Sequence, residues 1–66
     1  MLIKNHNGFE AGKKVKILTG IDAGKLTGVC CITKYGVNGK IIIGVMVQVK
    51  GGARSYRPDQ LALVGP

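Results

Sequence analysis

Sixty-six residues make a single domain with no room for a second. A chain this short buries only about 60% of the surface it exposes when unfolded, which favours a small barrel or sandwich around one core. Ten Lys and Arg against three acids give a net charge of +7, a field that suits phosphate backbones, anionic surfaces or acidic proteins. The longest apolar stretch, Ile41 to Val49, carries Gly44 and Gln48 and is too short to span a bilayer as a helix.

Ile and Val dominate the apolar residues, Gly occurs 11 times, and no segment sustains the spacing of an amphipathic helix. The composition therefore predicts an all-β fold. Residues 1–12 read as an N-terminal arm, with turn residues at Asn5-His6-Asn7-Gly8 and an anchor at Phe9. The opening Met1-Leu2-Ile3-Lys4 runs into polar residues and lacks the pattern of a secretory signal, so the expected location is cytoplasmic.

Residues 13–66 read as the folded body. Lys14 to Leu18 alternates, with Val15 and Ile17 inward and Lys14 and Lys16 outward, as in a half-buried first strand. Then comes TGIDAGKLTG, in which Gly20, Gly24 and Gly28 recur every fourth residue. A helix would carry all three on one face at ~1 kcal/mol each relative to Ala. The spacing also departs from a phosphate-binding P-loop, and no helix follows to present its N-terminus. A tight connection between two strands remains, with positive φ expected at Gly20 and close backbone approach at Gly28.

Val29 to Tyr35 forms the second strand. Val29 and Ile32 are its expected core residues, and their odd spacing calls for a β-bulge near Cys30-Cys31. The two cysteines are expected on opposite faces, one in the core and one outside, unable to bond to each other. Their spacing is not that of a metal site, and the single His lies far away at His6.

Asn38-Gly39 marks a tight hairpin turn into the third strand, Ile41 to Lys50. Its odd positions, Ile41 through Val49, form an expected unbroken inner face. Ile42 and Met46 point outward, separated by Gly44, as a candidate protein-docking or self-association surface. After the glycine turn at Gly51-Gly52, Ser55 to Arg57 makes a fourth strand. Pro58-Asp59-Gln60 makes one helical or 3₁₀ turn, and Leu61 to Val64 a fifth strand. Five short strands with a helical turn before the last predict a small five-stranded SH3-like barrel.

The residues Val15-x-Ile17-x-x-Gly20-x-x-x-Gly24-x-x-x-Gly28-Val29-x-x-Ile32 resemble the KOW motif. That motif occurs in large-subunit ribosomal proteins and in the C-terminal domain of the transcription factor NusG. The resemblance covers roughly Lys13 to Gly39 and implies an SH3-like barrel that binds RNA, ribosomal proteins or transcription machinery. Its central glycine falls on Gly24, with Lys25 beside it in the loop, while Asp22 places an acid there that departs from the pattern. The stretch Ser55 to Val64 is also similar to the last strand of other SH3-like proteins, including a small subunit of photosystem I. In those the barrel docks on a larger complex without nucleic acid.

Asp22, Asp59 and Glu10 are isolated, nothing pairs a nucleophile with a base, and neither an enzyme activity nor a cofactor is expected. Val47-Gln48-Val49-Lys50 looks a little like the Val-Gln-Ile-Tyr segment of plasmid-borne trimethoprim-resistant dihydrofolate reductases, but it lacks the tyrosine. The bases carry the binding hypothesis. Lys14 and Lys16 lie on the first strand, Lys25 in the glycine loop, Lys34 and Lys40 beside the hairpin, and Lys50, Arg54 and Arg57 around the second turn. Tyr35 and Tyr56 are the candidates for stacking on bases, although either could equally cap the core with its hydroxyl in water, the commoner fate of such a tyrosine. With so few aromatics, binding to RNA, ahead of DNA, should rest on phosphate contacts.

Overall fold

The computed structural model describes residues 1–65 and is an antiparallel all-β fold. Its strands are β1 (Leu2–Ile3), β2 (Lys14–Ile17), β3 (Leu26–Val37), β4 (Lys40–Val49), β5 (Gly52–Tyr56) and β6 (Leu61–Leu63). A 3₁₀ turn, Pro58–Gln60, sits between β5 and β6. The sheet runs in the order β5-β4-β3-β2-β6, with β1 on β3, and no pairing among the described residues joins β5 to β6. Among these residues no helix is long and apolar enough to cross a membrane.

The long strand β3 holds the sheet together. Its first residues pair with β2, from Lys14↔Gly28 to Lys16↔Leu26, and its remainder pairs with β4. Between Val29 and Cys31 the β4 register shifts by one residue, which is the expected bulge. The extra residue lets Val29 and Ile32 both face inward, opposite Val47 and Val45. Cys30 lies in the bulge and is exposed, whereas Cys31 is half-buried opposite Met46 on the outer face. Neither cysteine is a core residue, because the bulge removes Cys30 from the alternation and puts Cys31 outward.

The β3–β4 turn is the two-residue Asn38-Gly39, with φ of 51° and 76°. Positive φ at both positions suits the twist of a hairpin and explains why Asn precedes Gly. A second Asn-Gly pair, Asn7-Gly8, reverses the chain between His6 and Phe9, whose backbones exchange two 2.9 Å hydrogen bonds. This turn delivers Phe9 to the core. The N-terminal segment is therefore tied down twice, by that turn and by β1, where Leu2 and Ile3 pair with Thr33 and Ile32. A short extra strand replaces the loose arm expected from the sequence, since the edge of β3 offers it backbone partners.

Phe9, Val15, Ile17, Val29, Ile32, Val45, Val47, Tyr56 and Leu61 form the core, and no charged residue is buried among the described residues. The expected unbroken inner face of β4 ends early. Ile43 and Val49 are half-buried against the core, but Ile41 is 67% exposed. It keeps the inward register opposite Gly36, but it lies toward the hairpin tip, past the last β5 pair at Val45, where only the walls of open clefts stand beside it.

The two isoleucines separate packing from mere register. Ile17→Val should cost about 0.5–1.5 kcal/mol, because it removes a methyl group from a filled site. Ile41→Val should change stability by less than about 0.5 kcal/mol, as for an open surface position. Urea unfolding of both variants checks this.

Candidate nucleic-acid interface

The glycine stretch folds as the connection between β2 and β3. Gly24 takes φ of 90° and donates its N–H to the Ile17 carbonyl at 2.7 Å, and Ile17 in turn donates to the Lys25 carbonyl at 2.9 Å. A residue with a Cβ resists this left-handed turn, so the glycine keeps the loop closed on the end of β2. Gly20 also takes positive φ, whereas Gly28 does not and has open space on its Cα. The expected close approach at Gly28 is absent.

The closed loop places Asp22 over one end of the core. Its carboxylate stands 3.1 Å from Lys25 Nζ and 3.6 Å from Arg54 Nη1, and its side chain is only 18% exposed. Arg54 lies opposite Val47 on β5, on the core-facing side, and so reaches across the sheet end to the loop. Asp22 thus ties the β2–β3 loop to β5, two segments that share no strand pairing. Beside this tie is a cleft of about 190 Å³, lined in part by Ile17 and Val49 at its apolar side and by Lys25, Thr27, Gln48 and Lys50. Thr27 Oγ1 donates a hydrogen bond to the Gln48 carbonyl there. Lys25, Lys50 and Arg54 against Asp22 leave this end with a net charge of +2.

Other predicted residues fall elsewhere. Lys14 and Lys16 are exposed on the outer side of β2, with Lys16 opposite Leu26 and Ala62. Lys34, Tyr35 and Lys40 lie along the β3–β4 hairpin, where Lys34 and Tyr35 line a cleft of about 240 Å³ with Met1, Gly36 and Ile41. Lys40 and Val49 end the same strand, so at ~3.3 Å per residue they stand roughly 30 Å apart. The hairpin and the Lys25–Lys50–Arg54 cluster therefore occupy opposite ends of a molecule 32 Å long, and the bases do not form one patch.

Tyr56 is a correction. Its ring is 7% exposed, opposite Val45, because it ends β5 on the inner face, and it offers no surface for stacking. Its hydroxyl is buried without a hydrogen-bond partner among the described residues. Arg57, exposed, pairs with Asp59 at 3.2 Å across the start of the 3₁₀ turn, and its backbone N–H donates to Gln60 Oε1 at 2.9 Å.

The outward surface expected at Ile42 and Met46 is half-buried. Thr33 and Ser55, from the flanking strands, close over Gly44 between them. A methyl group on Gly44 would stand 2.6 Å from Ser55 Oγ and 2.9 Å from Thr33 Oγ1. The sequence reading missed Asp22 as a structural tie. The signal is a lone acid within a glycine turn, three residues before Lys25, but its second partner, Arg54, is remote in the chain.

No three His, Cys, Asp or Glu side chains come together among the described residues in a way that would hold a metal. No family model matches the chain, and comparison with curated proteins and with solved structures finds no match.

Asp22→Asn tests the tie. Its pairs lie at a partly solvated rim, so the loss should be no more than about 1 kcal/mol. In the same variant, amide exchange in the β2–β3 loop should quicken while that of Val45 and Val47 stays unchanged. Hydrogen exchange followed by NMR measures both.

Proposed function

We propose that this chain is a KOW-type SH3-like barrel that binds RNA, or a nucleoprotein complex, through phosphate contacts and without catalysis. One feature supports the closed form of the sheet. β5 and β6, at opposite ends of the strand order, are joined only by Arg57 and the 3₁₀ turn, so the chain brings the two sheet ends together. The twist of short antiparallel strands favours the same closure.

The observation that carries the function is the imbalance of charge at the surface. All three carboxylates are held in ion pairs, Glu10 with Lys13, Asp22 with Lys25 and Arg54, and Asp59 with Arg57. Lys4, Lys14, Lys16, Lys34, Lys40 and Lys50 have no ion-pair partner among the described residues, and all are exposed. Their unmatched charge attracts a polyanion whatever its sequence. Lys14 and Lys16 on β2, Lys25 in the loop that follows it, and Lys50 and Arg54, brought to that loop by the β4–β5 turn, form the proposed phosphate track. Tyr35 at the far end adds no stacking platform to it, so base readout contributes little.

Anisotropy of a labelled single-stranded RNA, titrated at several salt concentrations, tests this. One phosphate engaged at each of the five bases predicts log K falling with log salt at a slope of about −3.5. The double variant K25A/K50A should weaken binding similarly for unrelated sequences and flatten that slope by about 1.4. Binding that ignores salt, or that survives both substitutions unchanged, contradicts the proposal.

A further inference from the structure

The β3–β4 hairpin projects beyond the core as a two-stranded ribbon whose inner face is uncovered. On that face Ile41 sits opposite Gly36, which has no side chain to shield it. Clefts open on both sides of Ile41. One is the 240 Å³ cleft shared with Met1 and Tyr35, and the other, of about 370 Å³, runs under Ile42 and Ile43 to His6, Arg57 and Pro58. Met1 and Ile41 on the inner face, and Leu2, Tyr35 and Val37 on the outer, expose apolar surface around this ribbon.

The edges of the ribbon are free as well. Along β3 the last backbone bond on the β1 side runs from Lys34 N–H to the Met1 carbonyl at 2.8 Å. Alternation in an antiparallel strand turns the N–H and C=O of Gly36 to that same side, and no strand of the described residues pairs there. An unpaired edge beside an apolar face is the arrangement that accepts an added strand.

Charge selects the occupant. Lys34 and Lys40 flank the apolar residues, and the one acid at this end, Asp59, is held by Arg57. A second copy of the chain would bring the same positive rim and be repelled. An extended segment that alternates apolar and acidic side chains matches all three properties, edge, apolar face and charge.

We infer that the hairpin end docks an extended acidic–apolar segment of a partner protein, added along the β3 edge, with apolar side chains that reach Ile41 across Gly36. This surface lies at the opposite end from the phosphate track and does not rest on the nucleic-acid reading. The probe is a labelled synthetic peptide alternating valine with glutamate, and the control alternates valine with lysine. The full chain should bind the glutamate peptide saturably, more weakly as salt rises, and should not bind the lysine peptide.

Ile41→Ser, at an exposed site where folding is not at stake, should weaken the glutamate peptide about tenfold or more. The charge swap K34E/K40E should transfer the preference to the lysine peptide. No binding by the unaltered chain, equal binding of the two peptides, or indifference to Ile41→Ser overturns the inference. Self-association in light scattering that Ile41→Ser abolishes would assign the face to a second copy and also overturn it. RNA affinity measured on Ile41→Ser reports the other end separately, so failure of one reading is distinguishable from failure of the other.

Discussion

The fold depends on one bent strand. β3 must face the core at both Val29 and Ile32, and a regular strand cannot do so, because residues three apart point to opposite sides. The bulge at Cys30 resolves the conflict by adding a residue to β3 but none to β4. The strand then belongs to two ladders, with β2 along its start and with β4 and β1 along the rest. Both ladders turn their β-branched residues to the same core. Without the bend, Val15 and Ile17 of β2 would have no shared interior with Val45 and Val47 of β4.

A core of nine side chains has no place for charge, so every cation is driven to the rim or the outer faces. The local geometry then decides where cations gather. The glycine connection curls back over the end of β2 and carries Asp22 and Lys25 with it, while the β4–β5 turn brings Lys50 and Arg54 to the same end. Asp22 organises that cluster without neutralising it. At the opposite end the hairpin outruns both of its neighbouring strands, and the same β-branched pattern that builds the core continues into solvent at Ile41. Uncovered apolar surface lies at both ends, at Leu18, Ile21 and Leu26 around the charged cluster and at Ile41 within the positive rim of the hairpin.

Much of this was legible in the sequence where the signal was local. Alternation gave β2, the Asn38-Gly39 pair gave the hairpin, Pro58 marked the 3₁₀ turn, and the spacing of Val29 and Ile32 gave the bulge. What failed was whatever depends on partners remote in the chain. Ile41 has the register of a core residue, but its exposure follows from where β5 stops. Tyr56, between Ser55 and Arg57, reads either as a stacking surface or as a cap on the core, and only its register opposite Val45 decides for the inside. Ile42 and Met46 point outward as expected and are nonetheless half-covered, because Thr33 and Ser55 come from different strands to fill the space above Gly44. The candidate bases were identifiable by type and exposure, but their division between two ends required the length of β4.

Amide chemical shifts of the labelled chain, titrated with single-stranded RNA, test whether the phosphate track is separate from the hairpin end. Shifts should follow the amides of Ala23 to Lys25 and of Lys50 to Arg54, together with Lys14 and Lys16, and reverse on adding salt. Gly36 and Ile41 should stay in place throughout. Shifts concentrated on the hairpin, with the glycine loop unmoved, would contradict it.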